Sequence, residues 1–142
     1  MTRFAIELPV LFQHCDPAGI MFYPRCFEFV NQTVELWFRD ALGCGFAELH
    51  KERGIGIPAV HIDTDLSKPA YLGESLEMEL TLTALRRSAF SVVVRARVGD
   101  ELKFRAETHH AFASLKPIKA VPVPEDLRRR MHPYLENSGA AA

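Results

Sequence analysis

One stretch of the chain narrows the possible architectures more than any other. Between Pro24 and Ala41, apolar side chains recur at steps of three and four (Phe27, Val30, Val34, Trp37, Phe38, Ala41), and Phe29 and Leu36 fall off that stripe. This spacing marks an amphipathic helix. Pro24 suits its first position, where a backbone N–H has no intrahelical partner, and Gly43 and Gly45 end it. A helix that is apolar on more than one side cannot simply lie on a surface. Other elements have to wrap it.

The rest of the chain can do the wrapping. Leu76, Met78, Leu80 and Leu82 alternate with Glu77, Glu79, Thr81 and Thr83, and Phe90, Val92, Val94, Ala96 and Val98 alternate with Ser91, Val93, Arg95 and Arg97. Gly99-Asp100 is a two-residue hairpin signal, after which Leu102, Phe104, Ala106 and Thr108 form the return strand. Ile57 to Leu66 is also β-rich, and Ser67 to Gly73 interrupts it. Ahead of the helix, Arg3 to Gln13 alternates with Phe4, Ile6, Leu8, Val10 and Phe12 on one face, and Pro9 suits an edge or a bend. Glu125 to His132 reads as a short last helix. One polar face per strand argues for an antiparallel sheet with a solvated side. The expectation is an α+β fold, a curved antiparallel sheet wrapped around one long central helix. Residues 1–142 form one domain in this reading, with 134–142 a fraying small-residue tail.

Charge and cysteine usage exclude several functions. Seventeen basic and eighteen acidic side chains leave a net charge of -1, which offers no footprint for a nucleic-acid backbone but leaves room for a local basic pocket. No apolar run approaches the roughly 18–20 residues of a membrane-spanning helix. The N-terminal apolar stretch is broken by Glu7, Pro9 and Gln13, unlike a signal peptide. Cys15, Cys26 and Cys44 are odd in number and lack C-x-x-C spacing, so neither a disulfide framework nor a zinc site is expected. His109 and His110 alternate across a strand, poor geometry for one metal. A reducing, cytoplasmic setting is the simplest expectation.

The chemistry concentrates in Gln13-His14-Cys15-Asp16-Pro17-Ala18-Gly19-Ile20-Met21-Phe22-Tyr23-Pro24. A carboxylate in a tight turn just before a helix start lies near unpaired N–H groups and the positive end of the helix dipole. Such groups can polarise a carbonyl while the carboxylate attacks it or activates water. The same residues also read as a plain Asx turn. Arg86-Arg87, at a turn between strands, reads either as a phosphate clamp or as a solvated loop. Arg128-Arg129-Arg130 reads as the exposed face of the last helix. Glu35 is a reserve carboxylate, with an i, i+4 pair to Arg39 as its plainer reading.

The run CDPAGIMFYP followed by an aromatic-rich helix resembles the signature of the hotdog-fold thioesterases of the 4-hydroxybenzoyl-CoA thioesterase family. Glu52-Arg53-Gly54-Ile55, Ile57-Pro58 and Arg86-Arg87 leading into Phe90 extend the resemblance over most of the chain. The resemblance implies a hotdog fold and hydrolysis of an acyl-CoA. It makes Asp16 the catalytic carboxylate, the Tyr23 N–H the group polarising the thioester carbonyl, and Arg86 and Arg87 the coenzyme A contacts. Coenzyme A belongs to the substrate, so no separate cofactor is implied. A homodimer is implied as well, commonly paired into a homotetramer, with sites at subunit interfaces. The chain departs from the family where an acidic helix residue is replaced by Asn31 and a polar residue before the strand proline by Ile57. His61, three strand positions after Pro58, is expected to project toward the pocket. Met21, Phe22, Tyr23 and Phe27 suit an aromatic or short acyl group. The expected substrate is therefore an aromatic acyl-CoA of the 4-hydroxybenzoyl kind. The alternatives are an aliphatic acyl-CoA, a carrier-protein thioester, or an acyl-CoA-binding module without catalysis.

Overall fold

The computed structural model describes residues 2–136. Strand β1 (Phe4–Pro9) runs through a loop and a tight turn, Tyr23–Arg25, into helix α1 (Cys26–Leu36), whose last turn widens over Trp37–Ala41. Next come β2 (Ile55–Gly56), β3 (Ala59–Leu66), β4 (Ser75–Leu85), β5 (Ala89–Val98), β6 (Glu101–Ala111), β7 (Ala113–Leu115), β8 (Ile118–Ala120) and α2 (Glu125–Met131). Five strands pair antiparallel in the order β1-β4-β5-β6-β3, and β2, β7 and β8 form a small second sheet.

The period-2 alternation in β4 and β5 sends Leu76, Met78, Leu80 and Leu82, and Phe90, Val92, Val94 and Ala96, into the core, each at most 2% exposed. They enclose the helix in one apolar cluster with Phe29, Val30, Val34, Trp37 and Phe38. Each Leu, Met, Val and Phe side chain of this cluster contributes roughly 1.5–3 kcal/mol on burial. Phe38 packs against Phe90 and Phe112, with ring centroids 5.9 and 6.3 Å apart. This is the hotdog arrangement, a sheet curled around a central helix.

The helix is rotated from the orientation its sequence suggests. The buried positions are Cys26, Phe29, Val30, Thr33 and Val34, continued by Trp37 and Phe38, whereas Phe27 is 42% exposed. Thr33 can turn inward because its hydroxyl donates to the Phe29 carbonyl at 2.7 Å. The rotation leaves Tyr23, Phe27 and Asn31 along an open side of the helix.

Two further departures are local. The small sheet is unexpected, since its strands are two or three residues long and Pro117 lies between β7 and β8. The expected fraying from residue 134 is corrected as far as Glu136. The Tyr134 ring meets Trp37 edge-on at 5.7 Å, and the Glu136 N–H donates to the Leu82 carbonyl at 2.7 Å. Residues 137–142 of that tail lie outside the described residues.

Candidate active site

The loop from Cys15 to Met21 is a miniature antiparallel hairpin. Cys15 bridges Met21, the Asp16 N–H donates to the Ile20 carbonyl at 3.0 Å, and the Phe22 N–H donates to the His14 carbonyl at 2.9 Å. Gly19, at φ +77°, makes the reversal that an L side chain would resist. Met21 N–H and Leu72 N–H tie the hairpin across to residues 70 and 19 respectively, with Ala70 and Gly19 carbonyls as acceptors.

Asp16 is half-buried, and its Oδ1 accepts from the Ala18 N–H at 2.9 Å, so the Asx turn is real. The turn uses one carboxylate oxygen. The other, Oδ2, has no hydrogen-bond partner among the described residues. On the same loop the Tyr23 N–H finds no acceptor among the described residues, because it opens the turn that leads into α1 and Pro24 brings no N–H of its own. A free carboxylate oxygen and a free backbone donor at a helix start are the two parts that attack on a carbonyl requires.

Two neighbouring groups, His14 on the loop and Cys26 at the start of α1, are taken out of the chemistry by their surroundings. His14 Nδ1 accepts from the Leu11 N–H at 2.9 Å, and its ring packs edge-on against Phe29 at 4.7 Å. Burial lowers its pKa and favours the neutral ring. Burial pushes the Cys26 thiol up to about 11, which removes it as a nucleophile at neutral pH.

Tyr23, Cys26, Leu66, Lys68, Ala70 and Phe104 line a cleft of about 250 Å³ beside this loop. Further along α1, Asn31 lines two adjoining cavities, one of about 400 Å³ with Phe46, His50, Pro58 and His110, and one of about 60 Å³ with Phe27, Thr108 and His110. Phe22 is 51% exposed and meets the Tyr23 ring edge-on at 5.6 Å. Tyr23, Phe27 and Asn31, four residues apart in turn, carry the site along one face of the helix.

His61 does not belong to this group. A β-bulge between Ala59 and His61 inserts Val60, so Ala59 stays opposite the inward-facing His110 while His61 falls opposite the outward-facing His109. The His61 and His109 rings meet at 5.1 Å on the outer face of the sheet, where His109 also contacts Glu107 at 3.0 Å. The expectation that His61 lines the pocket is therefore corrected. The inward position that sequence reasoning left unassigned is His110, whose signal was its place in the β6 alternation.

Arg86 and Arg87 are exposed, and neither guanidinium has an ion-pair partner among the described residues. Their backbone is held from below. Arg128 Nη2 donates to the Arg86 carbonyl at 2.6 Å and to that of Arg87 at 3.2 Å, and the Val123 N–H donates to the Arg87 carbonyl at 2.8 Å. Arg130 likewise donates to the Leu42 carbonyl at 2.8 Å, so Arg128 and Arg130 also tie the helix to other segments, while Arg129 and Arg130 lie on its exposed face as expected. Glu35 does not pair with Arg39, which bonds Asp40 at 2.7 Å instead. Among the described residues no cluster of three or more His, Cys, Asp or Glu could hold a metal, and no helix is long and apolar enough to cross a membrane.

Comparison with known proteins fits this geometry. A model of the thioesterase-like superfamily matches residues 10–131, and the chain belongs to that superfamily. The 1,4-dihydroxy-2-naphthoyl-CoA hydrolase of Synechococcus elongatus is 28% identical over 129 residues, spanning 90% of this chain and 94% of that protein. A 1,4-dihydroxy-2-naphthoyl-CoA thioesterase structure from Synechocystis has a TM-score of 0.83 at 23% identity, covering 92% of this chain and 96% of that one. The 4-hydroxybenzoyl-CoA thioesterase of Pseudomonas sp. strain CBS-3 gives 0.80 at 25% identity, covering 90% and 98%. The resemblance to 4-hydroxybenzoyl-CoA thioesterases thus holds at the level of the superfamily.

Proposed function

We propose that the chain is an acyl-CoA thioesterase acting on an aromatic acyl group. The observation that carries this is the free Asp16 Oδ2 on the same tight loop as the unaccepted Tyr23 N–H. The carbonyl oxygen of the thioester takes the Tyr23 N–H, and Asp16 acts in one of two ways. It attacks the carbonyl carbon to give an acyl anhydride that water then cleaves, or it takes a proton from the attacking water. In both, the C–S bond breaks and the coenzyme A thiolate leaves without needing a strong general acid. The aromatic preference is supported by Tyr23, Phe27 and Asn31 along the open helix face and by relatives whose names carry aromatic CoA thioesters.

Arg86 and Arg87 supply guanidinium groups for the coenzyme A phosphates, on a turn already braced by Arg128. The working unit is a homodimer, paired further into a homotetramer. Strand β3 is one of the two edges of the five-stranded sheet, and Val60, Ile62 and Leu66 on it are 67%, 48% and 53% exposed. An uncovered apolar edge is a template for pairing with a second copy.

The test is Asp16→Asn with thiol release followed over aromatic and aliphatic acyl-CoAs, and over coenzyme A and carrier-protein forms of one acyl group. A fall of 100-fold or more on the aromatic thioesters supports the reading, as expected for loss of a catalytic carboxylate. Unchanged turnover in the folded variant overturns it.

A further inference from the structure

Resting on the thioesterase reading, we infer that Thr108 and His110 form a proton-ordered pair at the floor of the acyl pocket, presenting the Thr108 oxygen as an acceptor to a hydroxyl on the acyl ring. The proton order follows from two contacts. His110 Nδ1 lies 2.9 Å from the Ile57 carbonyl, and a carbonyl can only accept, so Nδ1 carries the hydrogen. His110 is 7% exposed and stacked on Phe90, with planes 8° apart and centroids 4.9 Å apart. Burial lowers its pKa and keeps the ring neutral, which leaves Nε2 bare. Thr108 Oγ1, 2.9 Å from Nε2, must then donate its single proton there. What Thr108 has left is lone pairs, and its next partner has to be a donor.

The cavities supply the place for that partner. Thr108, His110 and Asn31 line the cavity of about 60 Å³, and Asn31 and His110 also line the adjoining one of about 400 Å³. The larger has room for an aromatic ring, and the smaller for a group on its edge, a water in liquid occupying roughly 30 Å³. Asn31 lies two helical turns beyond Tyr23, roughly 12 Å along the axis, and helical side chains lean back toward the N-terminus. A ring hydroxyl there donates to Thr108 and accepts from the Asn31 amide. Thr108 contacts the substrate, and His110 is a positioning residue that acts through it.

The experiment measures the affinities of two aryl-CoA thioether analogues, in which a methylene separates sulfur from the ketone, with and without a 4-hydroxyl on the ring. Thermal unfolding verifies the fold of each variant. In the intact protein the hydroxylated analogue binds more tightly. Thr108→Val lowers that preference about tenfold, as expected for one lost hydrogen bond, and Thr108→Ser keeps it. His110→Gln, whose amide oxygen can replace Nε2, keeps the preference, whereas His110→Asn, which reaches only the Ile57 carbonyl, loses it. An unchanged preference in folded Thr108→Val overturns the inference. Thiol release on the matching thioesters is read separately. Its absence alongside a Thr108-dependent preference overturns the thioesterase reading and supports the binding pair.

Discussion

Arg53 and Asp126, 73 residues apart in sequence, hold each other through two parallel hydrogen bonds of 3.0 and 2.7 Å. The pair fastens the segment leading into β2 to helix α2. The guanidinium holds the Asp126 carboxyl well below its usual range, at about 2. A depressed carboxylate pKa contributes stability that is complete above the unfolded value, about 4, and is lost as pH falls from there through the folded value. Both side chains are about a third exposed or less, so solvent screens part of the effect. Asp126→Asn is expected to cost about 1–2 kcal/mol at neutral pH. Denaturant unfolding of wild type and variant across pH checks this: the two should converge between about pH 4 and pH 2, and a constant gap would contradict the assignment.

The two roles of Asp16 can be separated. Asparagine keeps an oxygen that accepts from the Ala18 N–H, so Asp16→Asn should leave the unfolding temperature nearly unchanged while abolishing turnover. Asp16→Ala removes the turn bond as well and should cost about 1 kcal/mol of stability in addition. Equal loss of stability in both variants would show that the carboxylate is mainly structural.

Replacing Arg86 or Arg87 by Ala should raise KM for coenzyme A thioesters about tenfold each, with kcat little changed. Truncated acyl-pantetheine substrates, which lack the nucleotide phosphates, should be insensitive. Because the turn is held by Arg128 through its backbone, neither replacement should alter unfolding. Equal losses on full and truncated substrates would remove the phosphate-clamp assignment.

Val60→Lys places a charge on the β3 edge of the sheet. Sedimentation velocity should then show dissociation toward monomer at micromolar concentration, with turnover falling alongside it. A variant that keeps the wild-type assembly would indicate that this edge is not the subunit contact.

The central helix and the β5–β6 hairpin were legible because their periodicities are long and uniform. The rotation of the helix was not, since Cys26 and Thr33 look weakly apolar on paper, and Thr33 becomes buriable only through its bond to Phe29. On its residues alone Asp16 read as a plain Asx turn, and it and the Tyr23 N–H were singled out by the resemblance to the hotdog thioesterases, with the missing N–H of Pro24 as local support. The ties made by Arg128 and Arg130 depend on carbonyls 42 and 88 residues away, which no local pattern announces. Arg39 chose the adjacent Asp40 over Glu35, a contest between neighbouring carboxylates that spacing cannot decide.

The bulge at Val60 works as a phase shifter. Upstream of it, odd-numbered residues of β3 look inward, and downstream the even-numbered ones do, so Ala59 and Ile62, three apart, share one cavity. The bulge absorbs Val60, so the residues on either side keep the faces they would have without it, whereas a residue added or removed without such a bulge would exchange the two faces of part of the strand. The side chains a ligand meets here are thus set by a count of residues as much as by their identities. An insertion or deletion within the strand that no bulge absorbs remodels the pocket more than most substitutions.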